Sequence, residues 1–518
     1  MGSVSWTGET ACALQAALQM SNEAFASHLK IGVRTVADWH KKPTTKPQTG
    51  MQHLLDGALQ AASSAALARF DQLTAERTAG PATYAEQRLA SDPNIGAALN
   101  WLDHHAGWEP GTARRRVATA LPQLDLHVLS DNARRRSLVD QRRIADALAE
   151  YYGPRIPPHG RYAAAYGGTG DAVTSVLTCP DWLDLACPLI ASNDRLSVVP
   201  VPADVDVTLD DEGAALAVQR LAASLTAGIR LIDTPLYRLL GIDVRKGQIA
   251  GSVGTTNFVG YAVTMDLLEA ELTEAIATDA AIRPGSLPLR DRYLPNIASV
   301  LDVSRRLCSG GALALTAIAR PASPYRGEAD YVLLVQERSG RVLNAAHRLA
   351  VIPKGFHEPM TDIRADAQIG ATLRREMEEE LFGRDDIDST VTDWLRADPM
   401  HPSRLSEPMR WLMDVPGRLR MECAGFGLNM VSGNFEFAGL ILIEDEDFWT
   451  RFGGQIEANW ESASLRQYSS VDPQLLTELI GDVAWSNEGL FALLQGLRRL
   501  AQIGGNRVNL PAIDWKVQ

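Results

Sequence analysis

The segment Thr372-Leu-Arg-Arg-Glu-Met-Glu-Glu-Glu-Leu-Phe-Gly383 sets Glu376, Glu379 and Glu380 at i, i+3 and i+4. On a helix those positions share one face. Carboxylates that close repel one another unless a cation or an arginine compensates. Hard divalent ions such as Mg2+ or Mn2+ take such oxygen ligands, and an ion so held polarises a phosphate and activates water. The other reading of the same residues is a solvated acidic helix balanced by Arg374, Arg375 and Arg384.

A different chemistry is written in Phe25 to Trp39. Phe25, Leu29, Val36 and Trp39 keep helical spacing in two halves, separated by a short turn at Lys30 to Gly32. Arg34 and Asp38 fall opposite Val36 and Trp39 and are expected to face outward. Such an arrangement lays one helix in a DNA major groove while its neighbour crosses the backbone. The other reading is a helical hairpin used for protein contacts. A second basic stretch carries Arg114, Arg115, Arg116, Arg134, Arg135, Arg136, Arg142 and Arg143 against Asp125, Asp131 and Asp140. With Glu109-Pro-Gly-Thr112 as turn and cap, it reads either as a second DNA-binding unit or as a solvated connector. His104-His105 point apart on a helix and make a poor metal pair. Tyr166-Gly-Gly-Thr-Gly170 reads as a turn before it reads as a phosphate cradle.

Residues 9–60 resemble the lambda-repressor-like, or Xre-type, helix-turn-helix family, on the Phe25-Ala26…Leu29 run followed by Thr35-Val36…Trp39. The resemblance implies that Val33, Arg34, Ala37 and Asp38 meet base edges and that Thr35, Lys41 and Lys42 meet phosphates. It also implies a homodimer on double-stranded DNA. Lys30 stands where the family has a left-handed glycine, at a cost of about 1 kcal/mol.

The run Arg375-Glu-Met-Glu-Glu-Glu380 resembles the core of the Nudix box, and Asp330–Ser339 with Leu349–Gly355 resemble the strands before it. The likeness spans roughly residues 305–505. It implies an α/β/α sandwich for nucleoside-diphosphate-linked compounds. Glu379 and Glu380 would ligate metal, Glu376 would ligate it or act as base, and Arg375 would orient the carboxylates. The box has extra residues between Gly355 and Arg375. Ala367 holds the place of its regular glutamate, for which Glu358 is the substitute if the loop is rearranged. Turnover is therefore expected to be slow or absent.

These residues need elements to hold them. At 518 residues the chain exceeds one core. Short helical runs at 11–19, 22–29, 33–41 and 51–67 precede an all-helical stretch to Tyr152. The breaker cluster Tyr152–Gly160 then marks a change of period. Strands are expected at 162–166, 172–177, 196–201, 249–263, 312–319, 330–336, 349–352 and 435–443. They alternate with helices at 211–225, 265–278, 372–381 and 488–501. The expected architecture is multidomain: an all-α helix-turn-helix region (1–68), a helical Arg-rich connector or second DNA-binding unit (69–152), an α/β or α+β middle domain (153–305) and a Nudix-like domain (306–518). Net charge is −13, which disfavours nucleic acid as partner of the whole surface but permits a local basic patch. Five scattered cysteines, with no secretion signal and no long apolar run, point to a cytoplasmic protein with no membrane partner. The expected function is a ligand-sensing transcriptional regulator. The alternatives are a Mg-dependent Nudix-type pyrophosphohydrolase with a docking N-terminus, or an interaction scaffold.

Overall fold

The computed structural model describes residues 6–18, 20–62, 66–67, 69–70, 74, 81–202, 209–229, 231–325, 327–339, 347–383, 400–453, 456 and 462–518. The chain divides into two compact units. One comprises residues 1–92 with 121–123, and the other 93–120 with 124–518. No helix among the described residues is long and apolar enough to cross a membrane.

The first unit is helical: α1 Gly8–Ala17, α2 Asn22–Leu29, α3 Val33–Lys41, α4 Thr49–Gln60 and α5 Pro81–Ser91. Its helices start where the sequence supplies acceptors. Thr7 and Thr10 form a reciprocal cap on α1, and the Ser21 hydroxyl accepts from the Ala24 N–H on α2. α2 ends at Lys30, which takes the left-handed conformation (φ 55°, ψ 43°), as the resemblance requires of that position. Trp6, Leu14, Phe25, Leu29, Val36, Trp39 and Leu55 form its core. A Cβ on Gly8 would come within 2.7 Å of the Lys42 carbonyl, so the start of α1 sits against the end of α3. The sequence-predicted helix 51–67 is observed as Thr49–Gln60, and the expected boundary at residue 68 falls outside the described residues.

The second unit begins with α6 Ile95–His105, α7 Thr112–Ala120, α8 Leu126–Ser137 and α9 Gln141–Tyr152, and its longer helices further along include α10 Asp211–Ala227 and α11 Leu267–Ala277. Its strands are β1 Gly160–Tyr166, β2 Gly170–Thr178, β3 Cys187–Pro188, β4 Asp194–Val198, β5 Pro235–Arg245, β6 Gln248–Asn257, β7 Gly310–Arg320, β8 Asp330–Arg338, β9 Leu349–Val351, β10 Lys354–Phe356, β11 Leu419–Asn429, β12 Phe435–Ile443, β13 Ser462–Ser469 and β14 Ile513–Val517. The main path runs β13-β8-β7-β12-β11-β2-β1-β14, with β10, β9 and β3 attached to β7, β8 and β11. β7 and β12 are parallel and the other pairs of this sheet antiparallel. β4, β6 and β5 form a separate three-stranded sheet.

Both faces of the main sheet are covered. Alternate residues of β7 divide between two cores. Ala312, Ala314 and Ile318 pack with Ile369, Leu373 and Met377 of α12 (Ile369–Glu380), while Leu313, Leu315 and Ala317 pack with Leu490, Leu494 and Leu497 of α13 (Asn487–Ile503). This period-2 division is what a strand buried on both sides requires. The expected boundaries at 152/153 and 305/306 both fall inside this unit, because β1 and β2 are hydrogen-bonded into the same sheet as β7 to β14. The expected strand 249–263 ends at Asn257, and Phe258–Ala262 is helical.

Candidate functional site

The carboxylate helix α12 starts without a cap from its own neighbourhood, for the Gln368 side chain makes no capping bond. The cap comes from far away in sequence: Asp194, on β4, accepts the Gly370 N–H at 2.9 Å. Asp194 is buried. That burial raises its carboxyl above the usual range, against the pull of the Gly370 and Ile369 N–H groups. A carboxylate at a helix N-terminus is favoured by the unpaired N–H groups and the helix dipole.

The side chains of α12 are not a solvated face. Arg375, Glu376, Glu378, Glu379 and Glu380 are all buried. The Arg375 guanidinium gathers three carboxylates: Glu376 at 2.7 Å, Glu358 at 3.1 Å and Glu379 at 3.3 Å. It also donates to the Phe356 carbonyl at 3.0 Å. Buried charges require such pairing, since removing one partner strands the others in low dielectric. Glu380 turns elsewhere. It accepts the Lys354 N–H at 2.6 Å and lies 3.9 Å from Arg338. Gly355, next along β10, leaves the space in which the Glu376 carboxylate rests.

Glu358 reaches Arg375 because the extra residues form an ordered loop. Asp366 accepts the Met360 and Asp362 N–H groups at 2.8 and 3.0 Å, and Asp362 accepts those of Arg364 and Ala365. His357 is fully buried, holds the Ala367 carbonyl at 3.0 Å and stacks near Tyr237, whose hydroxyl donates to the Ile363 carbonyl. Burial lowers the His357 imidazole to about 3, so it is neutral at physiological pH. The predicted orienting arginine and two of the three predicted metal-binding glutamates are thus brought together, with the substitute Glu358, and Glu380 is held apart. The donor set is all carboxylate, the kind that Mg2+ or Mn2+ takes. Among the described residues no three Asp, Glu, His or Cys side chains already converge as a metal cage. Arg384 lies outside the described residues.

On the opposite face of the sheet lies a charged network that the sequence reading missed. Strand alternation sends Lys354 away from Gly355, and its ammonium meets Glu488, at the start of α13, at 2.6 Å. Asn429 donates to Glu488 and Glu436 at 3.2 and 3.4 Å. Burial and the neighbouring Glu488 push the Glu436 carboxyl up to about 8. Burial also raises Glu488, but the Lys354 ammonium outweighs it, and Glu488 lies below the usual range.

In the first unit, α3 buries Val36 and Trp39 and exposes Val33, Arg34, Asp38 and Lys41. Lys42, just past its end, is also exposed, and Thr35 and Ala37 are half-buried. In the second unit, α7 buries Ala113 and Val117 and exposes Arg114, Arg115 and Arg116. Asp103 holds its start, accepting the Gly111 and Ala113 N–H groups at 2.6 and 2.7 Å. The Arg116 guanidinium lies 4.0 Å over the Trp108 ring. The arginines of α8 and α9 lean on acids of their own unit, with Arg135 at 3.4 Å from Glu274 and Arg143 at 3.3 Å from Asp279. His104 and His105 meet edge-on, and His105 stacks on Trp101. Residues Gly167–Thr169 form the β1–β2 hairpin turn.

No protein-family model matches this chain, and no curated protein is significantly similar to it.

Proposed function

We propose that the chain is a DNA-binding transcriptional regulator in which α3 is the recognition helix of an Xre-type helix-turn-helix and the larger unit senses a nucleotide-type small molecule. The observation that carries this reading is the division of α3. Val36 and Trp39 are 0% and 5% exposed, while Arg34, Asp38 and Lys41 face solvent, after a left-handed turn at Lys30. A helix that only closed a hairpin has no need of an outward row ending in Lys41-Lys42. Arginine 34 is the natural reader of guanine and the lysines suit phosphates. In this reading the protein acts as a homodimer on a two-fold operator. Arg114, Arg115 and Arg116 add backbone contacts.

The sensing part is read as a Nudix-like sandwich, with α12 and α13 as its outer layers. This is supported by the strand-loop-helix frame from β9 to α12 and by the shared Arg375. Were Mg2+ or Mn2+ to bind, Glu376 and Glu379 are the residues placed to hold it, Glu380 would join them only on leaving the Lys354 N–H, and the ion would draw the ligand's phosphates. One observation favours the hydrolase alternative: Glu358 pairs with Arg375 although Ala367 occupies the regular glutamate position. Retention of fragmented genomic DNA on the purified full-length protein, followed by sequencing, tests the regulator reading. Enrichment of a two-fold symmetric motif supports it. Retention no greater than that of an acidic control protein refutes it.

A further inference from the structure

Between the loop of residues 357–368 and the first turns of α12 lies a cleft of about 210 Å3, open to solvent on one side. Its acids are already committed. Glu358 pairs with Arg375, and Asp366 is held by two backbone N–H groups. Its uncommitted polar groups can all donate. Arg374 is half-buried, and no ion pair or hydrogen bond engages its guanidinium among the described residues. Burial weakens its hold on the proton, offset only in part by the Asp194 charge. Thr372 lines the cleft, and its hydroxyl is buried with no hydrogen-bond partner. Gln368, one turn earlier, offers an amide that caps nothing.

Adjacent residues on α12 differ sharply in their surroundings. Arg375 shares three carboxylates, while Arg374 faces a cavity. A guanidinium withdrawn from water is costly when its nearest counter-charge, here Asp194, is engaged by the Gly370 N–H and makes no direct contact with it, and an anion entering the cleft reduces that cost through charge-assisted hydrogen bonds. The remaining walls include the thioethers of Met360 and Met400. Methionine side chains adapt to flat rings and contact them favourably. At about 210 Å3 the cleft is smaller than the pockets of drug-sized ligands, about 300–1,000 Å3, and suits the anionic end of a compact molecule whose remainder lies toward the open side.

We propose that this cleft binds a small molecule carrying an oxyanion, phosphate or carboxylate, on a planar body, with Arg374 gripping the oxyanion and the methionines flanking the ring. The inference stands whether or not the chain binds DNA. It requires no metal.

The test is calorimetric titration of the full-length protein in EDTA with four probes: adenosine monophosphate, adenosine, benzoate and inorganic phosphate. The expected result is saturable binding of adenosine monophosphate or benzoate. Whichever of them binds more tightly identifies the anion as phosphate or carboxylate. Adenosine and phosphate alone are expected to bind at least about tenfold more weakly than the tighter probe. Arg374→Gln should weaken the tighter probe at least about tenfold. Thr372→Val should weaken it several-fold without lowering the melting temperature, since its hydroxyl has no partner to lose. Binding that needs Mg2+ and vanishes in EDTA would assign the anion to the carboxylates and overturn the proposal. So would undiminished affinity in folded Arg374→Gln, or absence of binding by all four probes.

Discussion

Gly355 lies directly beneath the carboxylate of Glu376, so that a Cβ on residue 355 would overlap the carboxyl group itself. The strand and the carboxylate helix therefore meet through the absence of a side chain. Gly355→Ala should force Glu376 off Arg375 and lower stability by about 1–3 kcal/mol, the usual range for overpacking. Gly96→Ala is the matched control: nothing lies within 4 Å of its Cβ position, and it sits in helix α6. It should be neutral or stabilising by up to about 1 kcal/mol. Denaturant unfolding of both variants decides, and equal stability of Gly355→Ala and the parent would show that Glu376 does not depend on this contact.

The parts of this arrangement that were legible in the sequence are the local ones. α2 and α3 follow from spacing and caps, and are observed at Asn22–Leu29 and Val33–Lys41, as expected. β12 was equally clear, because an apolar β-rich run has a length and flanks that can be read. Hidden were the strands whose identity depends on distant partners. β14 pairs with β1 across most of the chain, and β11 is broken by Gly425 and Gly427 yet lies between β12 and β2. Asp194 is the sharpest case: no local pattern tells that it caps a helix 176 residues later. Glu358 was nameable as a substitute, but only the loop's own hydrogen bonds bring it to Arg375.

The Glu436 carboxyl carries a pH signature. Its folded value, about 8, lies above its ordinary value of 4.5. The folded state thus binds more protons than the unfolded one across that interval, and stability falls as pH rises. The contribution is fully present below about pH 4.5 and is lost by about pH 8. Glu488 has the opposite sign, since its carboxyl is lowered and its contribution fades as pH falls below 4.5. Glu436→Gln should flatten the decline between pH 5 and 8 and raise stability at pH 8 relative to the parent. Melting temperatures measured at unit steps of pH report it, and an unchanged slope would show that Glu436 is ionised throughout.

The recognition-helix reading makes two substitutions differ in kind. Arg34→Ala should weaken binding to the preferred sequence by about 1–3 kcal/mol and relax preference at one position, if Arg34 reads a base. Lys41→Ala should weaken all sequences alike and lower the log–log salt slope by about one, if Lys41 touches phosphate. Gel-shift titrations at two salt concentrations separate these effects. A folded Arg34→Ala protein with full affinity and full specificity would remove α3 from the groove.

Regulator and enzyme part company at Glu379. A sensor needs a ligand whose affinity differs between two states of the protein, not turnover. A hydrolase needs a held metal and a positioned water. In this chain Glu379 and Glu376 share Arg375 with Glu358, and Glu380 is committed to the Lys354 N–H. Carboxylates engaged in this way are oriented more than they are exposed, so the expected result is slow or absent hydrolysis of ADP-ribose-like and dinucleotide compounds with Mg2+ or Mn2+. Two assays on one preparation decide. One follows phosphate or nucleotide release across that panel, and the other follows thermal stabilisation and DNA affinity with the same compounds. Ligand-dependent DNA affinity without turnover is the outcome the regulator reading requires. Rapid release abolished by Glu379→Gln, with DNA affinity indifferent to every compound, would make the protein a hydrolase whose N-terminal helices serve another purpose.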